Sequence, residues 1–191
     1  MKKNYIKQIL VIALLSVVCT YAQAQPTAIH LTLRINGITG SSLLPNYTGD
    51  IVVNSFKTGI NGTLYMGSSG LVNGTQASTQ KITLVLSNIE QSIPRLFFQT
   101  CQGTVNPVVT LFNVYTYNTG SSDFYVESEK IELYNAVIDA VTTNTNYSGD
   151  GLAEVTLVFD KIRRTIKKTN NSGVVLETRT FGWNLTTNTS F

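Results

Sequence analysis

Histidine is almost absent from this chain of 191 residues, which contains only His30. A histidine-based nucleophilic triad or a histidine metal cluster would depend on that one side chain. His30 lies among the polar positions of a predicted strand, so we interpret it as a surface residue. The sequence therefore predicts a non-enzymatic protein with no catalytic, metal-binding or cofactor-binding residue and no cofactor.

Cysteine is nearly as scarce, with only Cys19 and Cys101. Cys19 lies in the N-terminal segment that we predict below to be a cleaved leader. The remaining domain would then keep a single cysteine and form no internal disulfide. Cys101 falls near the end of a predicted short helix, where the helix dipole disfavours a reactive thiolate. We expect Cys101 to be a small hydrophobic residue on the buried face of that helix.

Long apolar runs are also missing, apart from Ile9–Val18 near the N-terminus. The lysines Lys2, Lys3 and Lys7 precede this run, and the small residues of Ala22–Ala24 follow it. A run of about ten residues is too short for a membrane span, and the whole pattern is typical of a secretory signal peptide. We predict a signal peptide over residues 1–24, cleaved after Ala24, and a single exported domain over 25–191.

This leader predicts a periplasmic or secreted protein with no membrane contact after cleavage. An alternative is a lipoprotein anchored at Cys19, although Val18 stands where such sites favour a small residue.

Charge of one sign is not in excess once the leader is removed. The three leader lysines reduce the 14 Lys and Arg to 11, which equals the 11 Asp and Glu. The densest basic cluster, residues 161–168, has no interleaved aromatic side chains that could stack on bases. We therefore predict no nucleic-acid partner.

Two carboxylates, Glu127 and Glu129, would share one face if their segment is a strand. Such a pair could act as acid and base in glycoside cleavage. Nothing in the sequence separates their pKa values, so a solvated strand face is the favoured interpretation.

What is abundant is Thr, Asn, Ser and Gly together with alternating apolar residues, which favours a β-rich domain. Ile29, Leu31, Leu33 and Ile35 alternate with polar residues in the strand Ala28–Asn36. The other predicted strands cover residues 50–56, 81–88, 106–117, a long stretch from 153 and 174–185.

Further patterns predict a helix, a bend and a hairpin. The stretch Ser92–Gly103 has Pro94 in its first turn and predicts two or three helical turns. The apolar parity changes near Asp160, so the long strand from 153 needs a bulge or bend there. The polar stretch Asn170–Gly173 is typical of a hairpin turn. Periodicity leaves Phe124–Val141 open between helix and strand, leaning slightly to helix.

A long polar loop, Lys57–Ser78, interrupts this pattern. Loops of about 20 residues in compact domains tend to be functional. Tyr65, Met66, Leu71 and Val72 are apolar residues within it, and we expect them to cover a surface.

The last 40 residues, with Thr156–Ile162, Gly173 and Gly182-Trp183-Asn184, resemble the end of Hcp proteins, the ring-forming tube subunits of type VI secretion systems. The stretch Ser92–Leu96 followed by Gly103 is similar to the short helix of that family. Leu33–Gly40 resembles its first strand and turn. The resemblance covers roughly Ala28 to Asn188.

This resemblance implies a small all-β barrel of two packed antiparallel sheets with one short flanking α-helix. It also implies strands across Phe124–Val141, hexameric rings that can stack, and a loop that reaches a neighbouring subunit. The family carries a Trp near its end, so we expect Trp183 to be mostly buried as a plug of the barrel, with fraying after about Thr187.

The predicted function is therefore a non-enzymatic, exported Hcp-like protein that assembles with itself into hexameric rings, with secretion-system components or cargo effectors as further partners. The candidate subunit-interface residues are Tyr65, Met66, Leu71, Val72, Arg163 and Lys167. Arg163 and Lys167 are included because they could pair with acidic residues among Glu127–Glu132 of a stacked ring. The alternatives are a monomeric secreted β-domain that binds glycan or protein through the 57–78 loop and, third, a small hydrolase.

Overall fold

A computed structural model of the chain describes most residues that follow the predicted leader. The described ranges are 26–58, 65–67, 70–72, 81–118, 122–145, 151–170 and 172–191. The predicted signal peptide and its cleavage point lie outside the described residues, as do most residues of the 57–78 loop.

Strands and a single helix make up the secondary structure of the described residues. The strands are β1 (Pro26–Ile35), β2 (Ile51–Val53), β3 (Ser55–Thr58), β4 (Tyr65–Gly67), β5 (Gly70–Val72), β6 (Lys81–Ser87), β7 (Val105–Asn118), β8 (Asp123–Thr145), β9 (Gly151–Val158), β10 (Lys161–Thr169), β11 (Val175–Asn184) and β12 (Thr189–Ser190). The helix α1 (Ile93–Gln102) lies between β6 and β7. This confirms the prediction of an all-β domain with one short helix.

The strands close into a barrel through a continuous series of antiparallel pairs. The pairs run from β1 to β2, then β3 to β6, β6 to β9, β9 to β8, β8 to β7, and β7 back to β1. β2 and β3 act as one strand bent at Asn54, whose N–H donates to the carbonyl of Val85 at 2.8 Å. A closed barrel satisfies the backbone of its strands without exposing their edges.

The long strand β8 changes partner halfway along one edge. Glu129–Tyr134 pairs with β10, whereas the stretch from Val137 onward pairs with β9. Asn135 stands at the change with φ 51°, a conformation that Asn tolerates better than most residues. The segment that periodicity left open is thus a strand, as the resemblance implies.

The break between β9 and β10 lies opposite that change and confirms the predicted bend near Asp160. The N–H of Asp160 donates to the carbonyl of Tyr134 at 3.0 Å. The carboxamide of Asn135 donates to the carboxylate of Asp160 at 2.9 Å. These two bonds hold the bend of one strand against the bend of the other.

Beyond the barrel, β10 and β11 extend the sheet as a hairpin, giving the order β12-β11-β10-β8-β7-β1-β2. The side-chain oxygen of Asn170 accepts the N–H groups of Ser172 and Val174 at 3.0 and 2.8 Å. Gly173 has φ 74°, which a glycine adopts at little cost. The predicted hairpin turn is therefore confirmed.

The core is formed by the apolar residues that alternate along the barrel strands. Helix α1 covers one side of this core. Leu33, Leu84, Leu111, Leu133 and Leu157 are among those almost fully buried. Ile93 and Leu96 of α1 belong to the same cluster.

One prediction about α1 is wrong. Cys101 is exposed, because the buried face of the helix is the narrow stripe through Ile93 and Leu96. Ser92 stands at the N-cap position, and its side chain makes no capping hydrogen bond. The predicted helix end is confirmed, since Gly103 has φ 62° and its N–H donates to the carbonyl of Thr100.

Trp183 packs against the core and leaves only a minor part of its surface exposed, which confirms the prediction that it is mostly buried. Its ring stacks on Phe181 at 6.3 Å, and Phe181 is itself half exposed. The predicted fraying after Thr187 is wrong, because β12 pairs with Trp183 and Asn184.

The loop between β1 and β2 is held by a forked ion pair. The guanidinium of Arg34 donates to both carboxylate oxygens of Asp50 at 2.8 and 3.0 Å. Asp50 is buried, and the same guanidinium also lies over the rings of Tyr47 and Phe112. Hydrogen bonds between an ionised donor and an ionised acceptor are among the stronger ones in proteins.

We expect Asp50→Asn to lower the free energy of unfolding by about 1–2 kcal/mol, because a buried partner of Arg34 loses its charge. We expect only this modest loss because the Arg34 guanidinium is half exposed and therefore partly solvated. Urea unfolding of the purified protein measures it. Asp139→Asn is the control, since Asp139 pairs with Lys81 at 2.7 Å on the surface, where such a pair contributes less than about 1 kcal/mol. Equal losses in both variants would contradict the assigned role of Asp50.

Candidate subunit interface

β11 keeps one backbone edge open over most of its length. β10 pairs with one edge from Val175 to Asn184, whereas β12 pairs with the other edge only at Trp183 and Asn184. Among the described strands, none pairs with the outer edge of the stretch Val175–Phe181. Open edges of this kind are the places where a strand from another chain can add.

The direction of the open backbone groups follows from one hydrogen bond. The carbonyl of Gly182 accepts the N–H of Phe191 at 3.3 Å, so Gly182 faces the outer edge. Backbone groups alternate in direction along a strand. Thr178 and Thr180 therefore direct their N–H and C=O groups to the open edge.

Apolar side chains lie exposed at the hairpin end of this edge. Val174, Val175 and Leu176 are 57%, 42% and 61% exposed. They are not among the interface residues predicted from the sequence. The sequence feature that could have identified them is a run of three apolar residues directly after a hairpin turn.

The opposite end of the sheet is open as well. β2 pairs with β1 only over Leu31–Leu33, so the Pro26–His30 stretch of β1 has no described partner on that side. A groove of about 370 Å³ runs beside it, and its lining includes Ile29, His30, Leu43, Pro45, Val52 and Tyr125. Leu43 is 86% exposed, so this end also presents apolar surface.

Four of the predicted interface residues lie in a small hairpin formed by β4 and β5. Tyr65 is opposite Val72, and Met66 is opposite Leu71. This hairpin pairs with no other described strand and stands in the 22-residue connection between β3 and β6. An isolated two-stranded hairpin is marginal in water, so it gains stability only from a surface to pack on.

Arg163 and Lys167, the other two predicted residues, lie on the same face of β10. The guanidinium of Arg163 lies over the rings of Tyr134 and Phe191 at 5.6 and 5.1 Å. The ammonium of Lys167 is 2.9 Å from the carboxylate of Glu127 within the same chain. Arg163 and Lys167 thus lie in a different sheet from the β4–β5 residues.

The prediction that Glu127 and Glu129 share a face is wrong because a bulge separates them. Glu127 is opposite Val114 and Glu129 is opposite Asn113, so the intervening Ser128 is the extra residue. A bulge shifts the alternation by one and sends the two carboxylates to opposite faces. Glu129 pairs with Arg164 and Glu127 with Lys167, three positions further along β10.

Tyr47 lies in the loop between β1 and β2, and its phenol has a shifted pKa. Burial raises the pKa of its phenol to about 12, and the negative charge of Glu127 adds to the effect. Its ring packs edge-on against Phe112 at 5.0 Å. The Lys167–Glu127 pair and the β1–β2 loop are therefore electrostatically connected.

His30 is half-buried, with Nε2 2.9 Å from the hydroxyl of Thr116. No group of three or more metal-ligating side chains occurs among the described residues. Helix α1 is the helix found among the described residues. It is too short and too polar to cross a membrane.

A protein-family model matches residues 32–166, and its description is type VI secretion system effector, Hcp. The matched range runs from the middle of β1 to the middle of β10. No curated protein sequence matches the chain.

Solved structures share the fold. The Hcp1 protein of Salmonella typhimurium is 17% identical with a TM-score of 0.62, and the match covers 86% of this chain and 100% of that chain. A protein described as a type six secretion system protein is 14% identical with a TM-score of 0.70 and the same coverage. A type VI secretion system effector from Yersinia pestis is 16% identical with a TM-score of 0.59, covering 81% of this chain and 98% of that chain.

We expect the stability of the protein to fall between pH 10 and about 12 in part through Tyr47. In the unfolded chain the phenol ionises near its ordinary pKa of 10, whereas in the folded chain it stays neutral to about 12. Rising pH therefore favours the unfolded state in that window. Urea unfolding at a series of pH values should show a smaller decline for Tyr47→Phe than for the wild type. Identical declines would contradict this assignment.

Proposed function

Because the chain belongs to the Hcp family of type VI secretion proteins, we propose that it is a non-enzymatic structural subunit that assembles with copies of itself into hexameric rings. These rings would stack into a tube or carry effector cargo, with secretion-system components as further partners. The observation that carries the proposal is the pair of open sheet ends, one at β11 and one at β1.

The two open ends suit a head-to-tail contact between identical subunits. Each end combines unpaired backbone groups with exposed apolar side chains, Leu176 at one and Leu43 at the other. When two different surfaces of one chain bind each other, rotation about an axis generates a ring. Backbone pairing of the β11 edge with the Pro26–His30 stretch of the next subunit would continue the sheet around that ring.

The β4–β5 hairpin supplies a second contact in this proposal. Tyr65, Met66, Leu71 and Val72 would pack on a neighbouring subunit, which suits a hairpin that pairs with no other described strand. The long connection from β3 to β6 provides the reach.

Arg163 and Lys167 are proposed to contribute to stacking rather than to ring closure. Both lie on a face of β10 that points away from the barrel core, where partial exposure leaves them accessible. Lys167 is already paired with Glu127, so contact with an acidic residue of the next ring would extend an existing ion pair.

We further propose that residues 1–24 direct the protein out of the cytoplasm and that the domain functions in the periplasm or outside the cell. Lys2, Lys3 and Lys7, the apolar run and the small residues near Ala24 support this step. Anchoring through Cys19 is the alternative outcome, and the mass of the processed N-terminus distinguishes the two.

The mass in solution tests the ring directly. We expect sedimentation of the purified protein at increasing concentration to show a discrete species near six times the subunit mass. A monomer that persists at high concentration would overturn the ring and favour the monomeric β-domain that binds through the 57–78 loop.

A proline in the β11 edge tests the mode of contact. Thr178→Pro removes an N–H that faces the open edge and leaves the pairing with β10 in place, as prolines in edge strands do. We expect the association per interface to weaken about tenfold, the equivalent of roughly one lost backbone hydrogen bond. Thr178→Val is the matched control, because it keeps the amide.

Circular dichroism and urea unfolding verify that both Thr178 variants fold. Unchanged assembly in a folded Thr178→Pro variant would show that the ring does not use this edge.

A further inference from the structure

The chain turns back on itself after β11 and forms a short strap, Leu185–Phe191. The side-chain oxygen of Asn184 accepts the N–H groups of Thr186 and Thr187 at 3.0 and 3.3 Å, which shapes the turn. Asn188 has φ 56°, and β12 then pairs with Trp183 and Asn184. The strap is therefore a built element of the sheet.

Phe191 crosses the face of β11 at Gly182. A methyl group at Gly182 would lie 2.6 Å from the backbone oxygen of Phe191, so a larger residue at position 182 would force Phe191 to move. The ring of Phe191 packs edge-on against Tyr134 at 5.9 Å. The cations of Lys161 and Arg163 lie 5.9 and 5.1 Å from the same ring.

These contacts divide the outer edge of β11 into two parts. The strap occupies the edge at Gly182, Trp183 and Asn184, whereas Val175–Phe181 stays open. A partner strand that aligns with β11 has room only along the open part.

We propose that the strap is a register stop, which limits the strand of a neighbouring subunit to Val175–Phe181. A slip of two residues keeps the same side chains on the same face, so the strand pattern alone resists such a slip weakly. An occupied position at Gly182 blocks the slip by steric exclusion. One register gives one angle between subunits and hence one ring size.

The inference rests on the proposed function, because it requires a neighbour that pairs with the β11 edge. It adds that Gly182 and Phe191 determine the size of the assembly rather than its affinity.

Sedimentation of three variants tests the register stop. The variants are a deletion of Thr186–Phe191, Phe191→Ala, and Gly182→Ala, which displaces the strap by collision. We expect each to replace the single species with a broad distribution that extends beyond six subunits. Gly182→Ala in the deletion background should add no further change, since the group that it displaces is gone.

Phe98→Ala is the matched control. Phe98 is 49% exposed, as is Phe191, and it also lies under a guanidinium, that of Arg95 at 5.4 Å. Phe98 lies on α1, away from the β11 edge, so its variant should keep the wild-type distribution.

The other outcomes are distinct. A wild type and variants that all stay monomeric would overturn both the ring and the register stop. A discrete ring in the wild type and in every variant would overturn the register stop and leave the ring intact. Loss of assembly in the folded deletion and in Phe191→Ala would show that the strap is itself part of the contact, which also overturns the inference.

Discussion

The bend shared by β8 and the β9–β10 connection is the constraint on which the rest of the structure depends. β8 is 23 residues long and must pair with β9 on the barrel and with β10 beyond it. Asn135 and Asp160 meet at the change of partner, joined by a side-chain bond of 2.9 Å. Without this bend the strand would continue in one direction, and the barrel could not close while the β10–β11 hairpin extends outward.

This arrangement decides where the molecule has edges. Apart from the Pro26–His30 stretch of β1, the strand pairs of the barrel satisfy most of their backbone groups within the chain. The hairpin carries β11 out to a position where only β10 is a full-length neighbour. The same geometry that stabilises one subunit thus leaves β11 partly open.

The ion pairs between β8 and β10 also depend on how these strands pair. Glu127 and Glu129 are directed to opposite faces by the bulge at Ser128 and pair with Lys167 and Arg164 of the adjacent strand. Two of the basic side chains of β10 therefore neutralise acids of their own chain. A stacking contact through Lys167 has to build on this pair instead of on a free charge.

The sequence by itself determined most of the barrel strands, the hairpin turn at Asn170–Gly173, the bend near Asp160 and the family. These features depend on alternation and on local turn chemistry, which a linear sequence records directly. For Phe124–Val141, periodicity alone was insufficient, because two bulges disturb the alternation of β8.

Only the tertiary structure decided which surfaces remain open. The exposure of Cys101, the separation of Glu127 from Glu129 and the apolar edge at Val174–Leu176 depend on what lies opposite each residue. The contact of the strap with Gly182 likewise forms only because the chain folds back after β11, and no sequence pattern predicts it. Such relations arise from pairing and packing between distant segments, and no local pattern encodes them.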